Sequence, residues 1–129
     1  MDLTITLVTA SVLGLIFIWL SSRVIGGRVQ NEVLIGDGDN QDLVFRIRTH
    51  ANFTEYVPIF LFILAGLEIM GGHRLTLIIL AAVFVVARLS HVAGMGPDAN
   101  LKPRQFGIIG SFTCIGAASL YGLYLALLT

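Results

Sequence analysis

Arg48, Asn52 and Glu55 stand at i, i+4 and i+7. At 100° per residue on a helix they fall within about 60° of one another, a single polar stripe two turns long. A guanidinium binds a carboxylate through two parallel hydrogen bonds, and a lone carboxylate takes an ammonium. Arg88 and His91 stand at i and i+3 on a second predicted helix, Arg104 opens a third, and Arg28 follows a fourth. One carboxylate facing four guanidinium groups leaves positive charge in excess, which suits an anionic ligand. Each residue taken singly also has a structural reading. Glu55 could pair with Arg48 or Arg88 and tie helices together, and arginines near helix ends can snorkel to headgroups.

These residues are set in a chain that is 56% hydrophobic and only 12% charged over 129 residues, with zero net charge. Mean hydropathy is +0.87. Eight acids and eight bases cannot cover a soluble domain of this size, and no basic excess marks a nucleic-acid binder. One cysteine allows no intrachain disulfide. Leu3 to Ser22 carries no charge, and its roughly twenty residues span about 30 Å as a helix, the thickness of a bilayer core. Gln105 to Thr129 is a second uncharged run. The two stretches between them reach bilayer length only by carrying polar residues inside, Arg48, His50, Asn52 and Glu55 in one, Arg88, Ser90 and His91 in the other. The expected fold is all-α, a single transmembrane domain over 1–129: an integral membrane four-helix bundle with helices at about 3–23, 45–70, 74–95 and 104–128. The first segment is read as a retained helix rather than a cleaved signal, since its apolar run is long and no positive stretch precedes it. Gly26-Gly27, Gly36-Asp37-Gly38, Gly71-Gly72 and Gly94-Met95-Gly96-Pro97 are read as the breaks.

Seven basic residues, Arg23, Arg28, Arg46, Arg48, Arg88, Lys102 and Arg104, belong to the first and third connections and adjoining helix ends, against Arg74 alone at the other end. By the positive-inside rule the first and third loops face the cytoplasm and both termini the periplasm. His50 lies 200° from Arg48, off the stripe, and is expected to hydrogen-bond between helices. His50, His91 and Glu55 lack metal-ligand spacing, so no metal is expected. His73 and Arg74 read as solvated loop residues, and Glu68 as a snorkelling one. Gly110, Cys114, Ala118, Gly122 and Ala126, four apart, read as a small-residue packing ridge that includes the cysteine. Tyr121 and Tyr124 suit an interfacial anchor, and Pro58 a kink in helix two.

The run Arg46-Ile-Arg-Thr-His-Ala-Asn-Phe-Thr-Glu-Tyr-Val-Pro58 resembles the R-x-H-x-N-x-x-E-x-x-P signature of the MAPEG family, membrane-associated proteins in eicosanoid and glutathione metabolism. The likeness extends over nearly the whole chain, and the Gly36-Asp37-Gly38 loop is most similar to the short bacterial branch. The resemblance implies a homotrimer with active sites between subunits near the cytoplasmic face, and glutathione as co-substrate. It implies Arg28, Arg48, Asn52, Glu55, Arg88 and His91 as glutathione-binding residues, and Arg104 as the catalytic arginine that stabilises the thiolate. Met95 stands where some relatives have tyrosine, Ala51 replaces a basic residue of eicosanoid-type members, and no tyrosine follows closely after Arg104. These departures argue against a prostaglandin or leukotriene synthase.

The expected function is therefore a glutathione-dependent membrane enzyme, a transferase or peroxidase for a lipophilic electrophile or lipid. The compact form and the lack of targeting signals point to a bacterial inner membrane. The alternative is a non-enzymatic membrane protein that binds a small anion or lipid headgroup, or regulates a partner. A transporter is disfavoured, because the charges gather at one end instead of lining mid-depth.

Overall fold

The computed structural model describes residues 2–129, which form four helices joined by three loops. They are α1 (Thr4–Asn31), α2 (Gln41–Ile69), α3 (Arg74–Ala93) and α4 (Leu101–Leu128). All four are long and apolar enough to cross a membrane. The short connections make sequence neighbours antiparallel, with α3 against α4 and α1 against α2 as the most intimate pairs and α2 also touching α4. Large apolar side chains such as Leu15, Phe62 and Ile109 point outward, as expected where lipid is the solvent.

The helix ends differ from the expected ones for identifiable reasons. α1 does not stop at 23. It continues through Gly26-Gly27 to Asn31 and closes on Glu32, whose φ of 55° and N–H bonds to the Arg28 and Val29 carbonyls end the last turn. Gly27 is buried against α2: a Cβ there would lie 3.1 Å from both Arg46 Cδ and Leu43 Cδ1. This glycine is a contact point between helices, not a break. α2 begins four residues early because Asn40 Oδ1 accepts the Leu43 N–H at 2.9 Å, and Asp42 pairs with Arg46 at 2.7 Å one turn on. α4 likewise begins at Leu101, where Asn100 Oδ1 accepts the Lys102 N–H at 3.0 Å. Pro103 sits in the first turn, where no intrahelical N–H partner is lost. Pro58 lies inside α2, which runs on past it.

At the opposite end, α1 has no side-chain cap of its own. The Ile5 and Thr6 N–H groups donate instead to the two carboxylate oxygens of Glu68 on α2, each at 2.8 Å. Glu68 does not snorkel; it completes the first turn of another helix. Tyr121 Oη accepts the His73 N–H at 2.8 Å and ties α4 to the α2–α3 turn. The middle of the bundle is apolar, with Phe60 and Phe84 stacked at 3.9 Å between centroids.

The α3–α4 seam decides where the polar end of the bundle comes together. The buried residues of α4 are Gly107, Ser111, Cys114, Ala118 and Leu125. This corrects the far end of the expected ridge, while Gly110 at its start packs against Ala87. A strict spacing of four drifts about 40° per step around a helix, whereas alternating fours and threes hold one face. Cys114 and Ala118 lie on the seam; Ala126 is exposed. A Cβ on Gly107 would meet the Ala87 carbonyl and the His91 backbone at 2.6 Å, and one on Gly94 would clash with the Arg104 backbone. Glycine at both positions lets α3 and α4 touch backbone to backbone.

Candidate functional site

That close contact sets Arg104 beside His91, and α2 closes the space from the third side. The result is a cleft of about 140 Å³ lined by Arg48, Asn52, His91, Met95 and Arg104, with Val44, Phe45 and Ile108. A second cleft of about 220 Å³ adjoins it, sharing Val44 and Arg48 and adding Arg28, Gly36, Asp37 and Ile47. Arg28 Nη1 donates to the Gly36 carbonyl at 2.7 Å and holds the long loop over the end of α1. Of the seven residues expected at the site, Arg28, Arg48, Asn52, His91 and Arg104 therefore line these two adjoining clefts.

The other two are placed differently. Arg88 is not a lining residue. It is 1% exposed and turned into the bundle. Its Nη1 donates to Asn52 Oδ1 at 2.6 Å, its Nε to Ser111 Oγ at 2.8 Å and its Nη2 to the Gly107 carbonyl at 3.2 Å. The guanidinium lies 5.2 Å from the Tyr56 ring centroid and 6.0 Å from that of Phe84. Its direct partners are neutral, so the charge is balanced by oriented dipoles and ring faces. Because a guanidinium can only donate, Asn52 must turn its carbonyl inward, which leaves its NH₂ for the cleft. Arg88 thus sets the orientation of Asn52.

Glu55 pairs with neither Arg48 nor Arg88. It is exposed on the outer surface of α2 and lines neither cleft. Among the described residues the ion pairs are Arg46–Asp42 and Arg74–Asp2, so Arg28, Arg48 and Arg104 have no carboxylate partner. His50 makes the expected interhelical bond, to Ser21 Oγ at 3.0 Å, with Phe17 against its ring. No cluster of three metal-binding side chains forms among the described residues.

Sequence reading missed Ser111 and Tyr56. The signal for Ser111 was a hydroxyl seven residues after Arg104, on the same face of the helix. Tyr56, beside Glu55, gave no cue beyond its aromatic face.

Four spanning helices with an arginine-lined cleft at one end define an integral membrane protein. The chain belongs to the MAPEG family, whose sequence profile matches residues 6–124. Over 80 residues it is 32% identical to the inner membrane protein YecN of Escherichia coli, matched in two strains. Each alignment takes in 62% of this chain and 61% of the relative, so less than two thirds of those relatives' length is spanned. No solved structure matches the chain.

Proposed function

We propose that the chain is a glutathione-dependent enzyme of the bacterial inner membrane, conjugating glutathione to lipophilic electrophiles or reducing lipophilic peroxides. One observation carries the reading: Arg48 and Arg104, both without a carboxylate partner, line one cleft with Asn52 and His91. The arginines fit the two carboxylates of glutathione, and its ammonium is left for the Glu55 of a neighbouring copy, since this chain's Glu55 lines neither cleft. When bound, glutathione supplies a thiol as nucleophile or reductant. Arg104 holds negative charge at the sulfur, Arg28 and Arg48 hold carboxylates, and Arg88 positions Asn52. Burial of Arg88 in the low-dielectric bundle strengthens its hold on Asn52.

The clefts of one chain are smaller than the roughly 300–1,000 Å³ usual for small-molecule sites. Glu55, a carboxylate on a lipid-facing surface, is costly unless covered. Both points support a homotrimer in which a neighbouring copy completes the site. The basic residues gathered at this end support loops one and three in the cytoplasm and both termini in the periplasm. Inner-membrane residence is further supported by the name of the Escherichia coli relative.

The test is isothermal titration of detergent-purified protein with glutathione. Saturable binding is expected, lost in Arg48→Ala and weakened in Glu55→Gln. Arg104→Ala should keep binding but lower the rate about a hundredfold, as loss of a charge-stabilising donor does. Wild-type activity should persist below the free thiol pKa of about 8.5, whereas the residual Arg104→Ala rate should follow free thiol ionisation. The second reading, binding of a small anion or lipid headgroup without chemistry, draws on Met95, a thioether where a hydrogen-bonding hydroxyl would assist a thiolate. It predicts an Arg104→Ala variant that keeps its biological role.

A further inference from the structure

A larger cavity than either cleft lies at the other end of the molecule. It is an open groove of about 510 Å³ between the first halves of α1 and α3, walled by Ile5, Val8 and Val12 on one side and Ile78, Ala82 and Val86 on the other. The Thr9 hydroxyl in its wall donates to the Ile5 carbonyl at 2.7 Å, so the wall asks for no polar partner. Arg74 lines its mouth. The Arg74 guanidinium is 3.9 Å from Asp2 Oδ2, beyond hydrogen-bonding distance, and both side chains are about two-thirds exposed. Asp2 Oδ1 is occupied by the N–H and O–H of Thr4, which hold the carboxyl below its ordinary range, while Oδ2 is the oxygen on the Arg74 side.

The wall runs from Thr4 to Val12 on α1 and from Arg74 to Val86 on α3. At 1.5 Å per residue these are about 12 and 18 Å, close to the ~15 Å depth of one leaflet's hydrocarbon. An apolar slot one leaflet deep, with Arg74 at its mouth and Asp2 next to Arg74, matches a zwitterionic lipid in length and charge. We infer that this groove binds a zwitterionic phospholipid bearing a primary ammonium, its acyl chain along α1 and α3, its phosphate on Arg74 and its ammonium on Asp2. The site lies at the membrane face opposite the arginine cleft and does not depend on the reading of that cleft.

The experiment is native mass spectrometry of the delipidated full chain in mild detergent, titrated with phosphatidylethanolamine or phosphatidylglycerol. Expected is saturation at one phosphatidylethanolamine per chain, preferred about tenfold over phosphatidylglycerol, the scale of one charge-assisted contact. Arg74→Gln should weaken both lipids about tenfold. Asp2→Asn should erase the preference and keep phosphatidylglycerol. Ala82→Trp, filling the groove, should abolish both; Val86→Phe serves if circular dichroism shows Ala82→Trp unfolded. Equal retention by wild type and the filled variant would overturn the acyl-chain assignment. Equal affinity for the two lipids in wild type would overturn the headgroup assignment. Val8→Cys chains that cross-link to one another equally with and without added phosphatidylethanolamine would mean that a second copy fills the groove, and would overturn both.

Discussion

Arg88 separates what residue types reveal from what they hide. Its place three residues before His91 marks it as polar inside a span, and such a residue is a functional candidate by cost alone. Which way it points depends on the depth of the α3–α4 contact, which neither its own type nor its spacing encodes. The expected outcome for Arg88→Lys is a loss of about 2 kcal/mol of stability, because one ammonium cannot reproduce the three-way fork to Asn52, Ser111 and Gly107. Glutathione affinity should fall with it as the Asn52 amide loses its orientation. Thermal unfolding in detergent and calorimetric titration check the two effects. A double-mutant cycle with Asn52→Ala should show them coupled, since the residues share one hydrogen bond. Ser111→Ala should cost about 1 kcal/mol. His50 was the easier case: its angular offset from the stripe was enough to assign it to packing.

At the scale of elements, the glycines carry opposite consequences. Gly107→Ala should destabilise by about 2 kcal/mol and splay α3 from α4, since its Cβ would meet backbone that cannot yield. Gly116→Ala, with nothing within 4 Å, should be neutral or stabilising by up to about 1 kcal/mol through helix propensity. Thermal unfolding of the two variants side by side decides the matter. Glu68→Gln should cost about 1 kcal/mol and speed hydrogen exchange at the Ile5 and Thr6 amides. The existence of all four helices was legible because an apolar run of bilayer length admits few other readings. The ends of α1, α2 and α4 were less so. Gly26-Gly27 has the composition of a turn, and only the approach of Arg46 and Leu43 turns it into a packing site.

For the whole molecule, the gathering of charge at one end was readable as a count of basic residues. The division of labour within it was not. Three arginines line the clefts, a fourth is buried as a brace, and Glu55 faces outward. That outward carboxylate makes assembly measurable. Sedimentation in density-matched detergent should give three times the 13.9 kDa chain mass, and Glu55→Cys should form cross-links between copies. A monomer that binds glutathione with wild-type affinity would remove the need for a neighbour.

The Glu68 contact has a bearing on how the protein is made. The first turn of α1 depends on a carboxylate more than sixty residues later, at the far end of α2. While α1 alone has entered the bilayer, the Ile5 and Thr6 amides have no side-chain acceptor, and leaving such groups unsatisfied near hydrocarbon is costly. The two helices therefore complete one another only as an inserted hairpin. Ribosome-bound chains arrested before Glu68 emerges should leave the start of α1 open to protease from the far side of the membrane, and longer ones should close it.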